Sequence, residues 1–335
     1  MTSGQRGARS AVASERVMLL DTAALYFRAF YGVPDTVKAP NGMPINAVRG
    51  LLDMIARLVA EFEPTHLVAC WDDDWRPQWR VDLIPSYKAH RVASEPPVRS
   101  VRKDVPGAAA AAAVALEEVP DLLSPQVPVI RDVLTALGIP IVGAVDHEAD
   151  DVIGTLASSA AFPVDVVTGD RDLFQLVDDS RAVRVIYTGR GMSNLELVTD
   201  AVVVAKYGVI PVQYADFATM RGDASDGLPG VAGVGDKTAA ALLATYGDLY
   251  GIIGAATDAL SAMAASPRAK ILAASQYLAV APTVVRVVRD LVIPDFDARI
   301  RSIPPARAER LTRLTEQWGL GESMRRAVTA LATRA

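Results

Sequence analysis

The sequence predicts an α/β fold: a mostly parallel central sheet flanked by helices, followed by a smaller helical region. Three observations point there. Short apolar runs at 17–20, 67–71 and 164–167 each lead directly, or within a Thr-Gly step, to acidic residues. Helical patterns such as 46–62 and 127–137 lie between them. After Tyr207-Gly208-Val209-Ile210-Pro211 the character changes to short helices joined by Gly-rich turns. Strands alternating with helices imply a parallel, doubly wound sheet. Ligands bind such sheets at the carboxyl ends of the strands, which is where these acids fall.

Taken in order, residues 1–16 hold Gly, Ser and three Arg without an apolar core, so they read as a loose tail and not as a secretory signal. The run 17–20 ends at Asp21, and the run 67–71 ends at Asp72 and Asp73. Cys70, the only cysteine of the 335 residues, sits in that second run; no internal disulfide is possible, and the chain suits a reducing cytoplasm. Between Arg76 and Lys103, seven Lys or Arg face two acidic residues, interleaved with Trp75, Trp79 and Tyr87. Such a stretch suits a nucleic-acid strand through phosphate pairing and base stacking, and it directly follows Asp72. The six-alanine run 108–113 favours helix but gives no packing specificity, and reads as part of a surface excursion spanning 76–126.

Glu148-Ala149-Asp150-Asp151 opens a probable helix, with Glu148 and Asp151 three apart on one face and Asp150 adjoining. An acidic helix N-terminus complementing the dipole would explain this cluster alone. That explanation weakens when Asp21, Asp72, Asp170 and Asp172 arrive at equivalent strand ends. Carboxylates gathered without partners repel one another, so a folded chain keeps them only when cations neutralise them, and hard divalent ions prefer oxygen ligands. His66, His90 and His147 have no ligand spacing.

In the helical region, placed at 207–290, Asp223 and Asp226 precede a run with Gly230, Gly233 and Gly235 ahead of Lys237. Three glycines in six residues make a hairpin whose amides, with the next helix N-terminus, can hold phosphate oxygens without reading bases. Residues 291–335 read as helical and Arg-rich without a chemical motif. The formal charge of −5 argues against a nucleic-acid partner only until the nine proposed site carboxylates are set aside, which leaves 34 basic against 30 acidic residues, a balance of +4. Charges or prolines interrupt every apolar stretch before the roughly 18 residues that a membrane helix needs.

Together these motifs resemble the 5′ nuclease family, which includes bacterial 5′→3′ exonucleases, the 5′ nuclease domain of DNA polymerase I and flap endonucleases. The stretch 148–157 looks like the family's central acidic motif, and 168–173 like the next one. The stretch 221–235 is similar to its helix-three-turn-helix, and Arg80, Tyr87, Lys88 and Arg91 match its Arg-x6-Tyr-Lys-x2-Arg pattern at the base of a helical arch. The resemblance covers roughly residues 17–290. It implies a PIN-like core and two metal positions for Mg2+ or Mn2+. Asp21, Asp72, Glu148, Asp150 and Asp151 would form the first, and Asp170, Asp172, Asp223 and Asp226 would surround the second. It implies that Lys88 and Arg91 contact the scissile phosphate, that Tyr87 stacks on a base and Arg80 binds nucleic acid with it, and that a K+ ion binds at the hairpin 230–235.

The chain departs from the family pattern at several points. The tract 71–75 is one residue longer than a common spacing, which leaves Asp73 as an alternative to Asp72; Gly227 stands where Asn is usual, and Arg49 where an aromatic is frequent. The resemblance implies hydrolysis of phosphodiesters near 5′ single-strand/duplex junctions of branched or 5′-ended DNA, RNA-primed ends included, in primer removal and repair. With no long polymerase region following, the expectation is a stand-alone, nucleoid-associated bacterial chain. The rival readings are a non-catalytic branched-DNA binder, which would lack some of the carboxylates, and a PIN-type RNase, which would not need the hairpin.

Overall fold

The computed structural model describes residues 15–92 and 122–335. The alanine run and Lys103 lie outside the described residues.

The expected sheet is present. Its strands are β1 (Val17–Asp21), β2 (His66–Cys70), β3 (Ile141–Val142), β4 (Val164–Thr168), β5 (Val183–Tyr187) and β6 (Glu196–Val198), in the order β3-β2-β1-β4-β5-β6. All neighbours pair parallel except β6, which runs antiparallel to β5 at the edge. Alternation along β1 sends Val17 and Leu19 to one core and Met18 and Leu20 to the other, so each face has its own hydrophobic cluster. A parallel sheet covered on both faces explains the unbroken apolar strands. Each fully buried leucine or isoleucine contributes about 1.5–3 kcal/mol.

One face is covered by α1 (Thr22–Gly32), α2 (Asn46–Phe62) and α4 (Gln126–Leu137). On the other side lie α3 (Gln78–Leu83), α5 (Ala149–Ser159) and α6 (Asp200–Tyr207), which ends on Gly208 at φ +70°. The helical region follows as α7 (Tyr214–Arg221), α8 (Asp236–Tyr246), α9 (Leu249–Thr257), α10 (Ala265–Ala273) and α11 (Ser275–Val285). Its apolar side chains, Phe217, Leu243, Leu278 and Val284 among them, join the same cluster as Val166 and Val185 of the sheet. No single helix among the described residues is long and apolar enough to cross a membrane.

Two expectations at the chain ends need correction. Arg16, read as part of the tail, donates its amide to Thr65 Oγ1 and pairs with Asp165, which is fully buried in β4 and also held by Arg184 at 2.7 Å. At the other end, residues 291–304 are not helical: they run past the start of β2, where Leu67 N donates to the Ala298 carbonyl and Ile300 N to that of Thr65. Helix resumes only in α12 (Pro305–Trp318) and α13 (Gly321–Ala332), whose Leu311, Leu314, Met324 and Leu331 join the core of α2 and α4. Arginines of this hairpin pair with the core, Arg326 with Asp53 at 2.8 Å and Arg310 with Asp132 at 3.2 Å. The Arg49 guanidinium donates to the Gly319 carbonyl at the end of α12, so the atypical residue at 49 adds a further tie between α2 and the C-terminal hairpin.

Candidate active site

A cavity of about 780 Å³ opens at the carboxyl ends of β1, β2 and β4, lined by Asp21, Asp72, Glu148, Asp150 and Asp170 together with Lys88 and Arg91. Local folding places each acid. Asp21 ends β1 and caps α1, its Oδ1 accepting from Ala24 N at 3.1 Å and its Oδ2 from Thr168 Oγ1 at 2.7 Å. Thr168 Oγ1 in turn accepts from Asp170 N at 2.9 Å, which ties the ends of β1 and β4 together. Asp72 accepts from Ala149 N at 2.7 Å and so fixes the start of α5. Asp73, the alternative, is exposed, and its carboxyl packs where a side chain at Gly143 would stand.

This wall of acids is electrostatically strained. Burial raises the carboxyl of Asp72 to about 7, partly countered by the Ala149 amide and raised again by Asp21. Burial, then Asp21 and Asp170, push Asp150 well above the carboxylate range. Burial acts against the charge of Lys88, but Glu148, Tyr87 and Asp226 outweigh it and keep the ammonium protonated, with its Nζ 2.6 Å from Glu148 Oε2.

The second acidic group sits alongside. Asp170 Oδ1 accepts from Asp172 N at 2.9 Å, and Asp172 Oδ1 is buried without a hydrogen-bond partner. Burial, then Asp170, Asp226 and Asp223, raise Asp172 well above its ordinary value. Burial raises Asp226 to about 6, while Lys88 and Arg91 lower it; Arg91 donates to it at 2.8 Å. Asp223 is half-buried and caps the turn 224–226.

Three expected site residues turn away from the cavity. Asp151 is fully buried, both its oxygens bonded by the Arg80 guanidinium at 2.7 and 2.8 Å, with Val288 N and Glu148 N donating as well. With four donors on it and no place in the cavity lining, it holds α3 to α5 and is turned away from any metal held there. Arg80 is therefore committed to a buried ion pair and is not a nucleic-acid contact. Tyr87, 4% exposed, donates its hydroxyl to Glu148 at 2.8 Å, so its ring has no face open to a base.

Sequence reasoning missed Arg28 and Tyr31. Both line the cavity from α1, Arg28 against Gly169 with its Nε buried and unpartnered, and Tyr31 at 73% exposure. The available signal was spacing: Ala24, Phe27, Arg28 and Tyr31 fall at i, i+3, i+4 and i+7 of the helix that Asp21 caps.

In the hairpin, Gly230 at φ +68° leaves no room for a Cβ, which would lie 2.6 Å from the Arg221 carbonyl. Gly235 is the N-cap of α8, Lys237 is exposed on its first turn, and the carbonyl of Gly233 accepts from Lys270 Nζ at 2.8 Å.

No three acidic, His or Cys side chains among the described residues stand placed to hold a metal ion together. The donor set nonetheless fits a hard divalent cation: the cavity wall offers five carboxyls, no imidazole and no thiol, and burial with mutual repulsion disfavours the charge of Asp21, Asp72 and Asp150 without a counter-ion. Cys70 is buried behind that wall, its thiol pushed well up by burial and then by Asp21 and Asp150.

Two family models together match most of the chain: "5'-3' exonuclease, N-terminal resolvase-like domain" over residues 16–208 and "5'-3' exonuclease, C-terminal SAM fold" over 209–306. A 5′-3′ exonuclease of Streptomyces coelicolor is 56% identical over 314 residues, 94% of this chain and 99% of the relative. A DNA polymerase I of Mycobacterium bovis is 40% identical over 265 residues, 76% of this chain and 26% of the polymerase. Among solved structures, the bacteriophage T5 D15 flap endonuclease in a pseudo-enzyme-product complex with DNA and metal ions is 13% identical, with a TM-score of 0.56 over 95% of this chain and 100% of that one.

Proposed function

Because the chain belongs to the 5′-3′ exonuclease family, we propose that it hydrolyses DNA phosphodiesters beside the junction where a 5′ single strand meets duplex, in primer removal and repair. The observation that carries this is the convergence of five carboxyls from separate strand and helix ends on one cavity that also presents Lys88, Arg91 and Arg28. An acidic wall alone repels DNA; an acidic wall with cations at its rim holds a phosphate against bound metal.

Asp21, Asp72, Glu148, Asp150 and Asp170 would hold magnesium or manganese, with Asp172, Asp223 and Asp226 around a second position. When bound, such ions activate water and stabilise the attacking and leaving oxygens of an in-line displacement. The chain's own groups do the rest. Lys88, fixed by Glu148, places a full positive charge in the cavity where charge develops on the phosphate. Arg28 and Arg91 add guanidinium donors suited to phosphate oxygens, and Tyr31 offers the exposed ring for a base. Gly230, Gly233, Gly235 and Lys237 would track one backbone of the duplex without reading sequence. The hairpin 230–235 would hold a potassium ion through its carbonyls, of which that of Gly233 already accepts from Lys270 Nζ.

The test is cleavage of an end-labelled 5′-flap duplex, beside blunt duplex and single strand, with magnesium, with manganese and with chelator. Metal-dependent release of the flap or of short 5′ products is expected. Binding of the flap without a cut in either metal would overturn the catalytic reading.

A further inference from the structure

We propose that Ser86 and Gly227 are positioning residues that clasp the segment carrying Lys88 to the turn carrying Asp226. The inference deepens the nuclease reading and rests on it. Three contacts make the clasp. Ser86 Oγ donates to the Gly227 carbonyl at 2.7 Å, Lys88 N donates to the Asp226 carbonyl at 2.9 Å, and Arg91 Nη2 donates to the Ser225 carbonyl at 2.7 Å. Gly227 is what lets the two backbones meet. It sits at φ +69°, and a Cβ there would overlap the Ser86 carbonyl oxygen and lie 2.9 Å from its carbon. No residue with a side chain fits without pushing 86–88 away.

The clasp fixes Lys88 in a costly geometry. Lys88 has φ +48°, left-handed and unfavourable for a side chain, and the hydrogen bond from its backbone N–H to the Asp226 carbonyl holds it there while Nζ reaches Glu148. The clasped turn is also continuous with the hairpin: Gly222 and Gly230 pack so closely that a Cβ on either would lie 2.6–2.7 Å from the other's backbone nitrogen, and Val231 N donates to the Met220 carbonyl at 2.8 Å. The piece of chain proposed to track duplex and the piece that sets the catalytic lysine are thus one rigid unit. The clasp gives the atypical glycine at 227 a role: a closer approach than a side chain permits.

The experiment measures single-turnover cleavage of the 5′-flap duplex at saturating magnesium, flap affinity in chelator and thermal midpoint, for wild type, Gly227→Ala, Ser86→Ala, Ser86→Thr and the double alanine variant. Displacing Lys88 by about an ångström should lower the Gly227→Ala rate about tenfold to a hundredfold. Loss of one hydrogen bond should lower the Ser86→Ala rate about fivefold, with Ser86→Thr restoring it, and the double variant should be no slower than Gly227→Ala. Affinity in chelator should stay within about twofold of wild type. An unchanged rate in Ser86→Ala, a rate loss that Ser86→Thr does not recover, or a loss of affinity matching the loss of rate would overturn the clasp, whether or not Gly227→Ala folds. Absence of cleavage by wild type would instead overturn the nuclease reading.

Discussion

Asp150 and Asp151 are neighbours with the same side chain, and α5 delivers them to opposite environments. Asp150 faces the cavity among Asp21, Asp170 and Glu148, and its carboxyl holds a proton far above the usual range because of burial and then those neighbours. Asp151, one residue on, is buried more completely, yet two guanidinium nitrogens and two backbone amides occupy its oxygens. Burial is common to both; the supply of donors differs. A carboxylate with its donors in place is structural cement, whereas one left among like charges has an unmet need for a cation.

The largest effects break that pair apart. Asp150→Asn keeps the shape, removes one charge from the cavity and should abolish flap cleavage. It should also leave flap binding in chelator intact and, above the pH at which Asp150 gives up its proton, raise the thermal midpoint of the metal-free protein, because repulsion is relieved. Full activity in this variant would erase the distinction between the two aspartates. Asp151→Asn should do the reverse. It leaves the Arg80 guanidinium, only 2% exposed, with Glu148 at 3.4 Å as its one acidic partner, and should cost about 3 kcal/mol in denaturant unfolding. The folded fraction should still cut. Wild-type stability with no cutting would mean that Asp151 serves the metal after all.

A smaller effect sharpens the comparison along the pH axis. The carboxyl of Asp72 sits at about 7 in the folded chain, against an ordinary 3.8. The folded state therefore binds this proton more tightly than the unfolded state. Its contribution to stability without divalent ions is full below the ordinary value and is lost as pH rises from about 4 to about 7. A cation must displace the same proton, so magnesium affinity should climb across the upper part of that window. Thermal melts in magnesium series at about pH 6, 7 and 8 would show it, and Asp72→Asn should flatten the climb. Equal affinity at all three pH values would remove Asp72 from the cation's ligands.

Much of this was legible in the residues, and the failures lie where side chains find partners inside the fold. The reading of 46–62 as a helix matches α2 at both ends, and the runs 17–20 and 164–167 became β1 and β4 because strands buried on both faces are continuously apolar. β3, with two residues, and β6, with three, are too short to carry a period. At the site, the cavity's five carboxyls were all named in advance. Asp151 was misassigned by treating Glu148 and Asp151 as one helix face, and Arg80 and Tyr87 by carrying over the roles that the family resemblance implies. Glu148 is the N-cap, at φ −86° and ψ 163°, and lies outside the helix, so the i,i+3 rule does not relate the two. Arg80 and Tyr87 then follow their partners inward, Arg80 to Asp151 and Tyr87 to Glu148, and no one-dimensional spacing reveals which acid a cation will find.

The smallest effect separates two tyrosines. Tyr87 is closed in, with its hydroxyl on Glu148, whereas Tyr31 stands 73% exposed at the cavity mouth. Tyr87→Phe removes a single hydrogen bond and should cost about 1 kcal/mol of stability, leaving flap affinity in chelator unchanged. Tyr31→Ala should leave stability alone and weaken flap affinity, since stacking of one base on an aromatic ring is worth about 1–3 kcal/mol. A buried ring cannot stack on a base without first leaving Glu148, and Lys88 shares that carboxylate, so any DNA contact by Tyr87 would disturb the lysine as well. If Tyr87→Phe holds affinity while Tyr31→Ala loses it, the aromatic contact belongs to the exposed face of α1. A loss of affinity in Tyr87→Phe alone would return the contact to the basic segment.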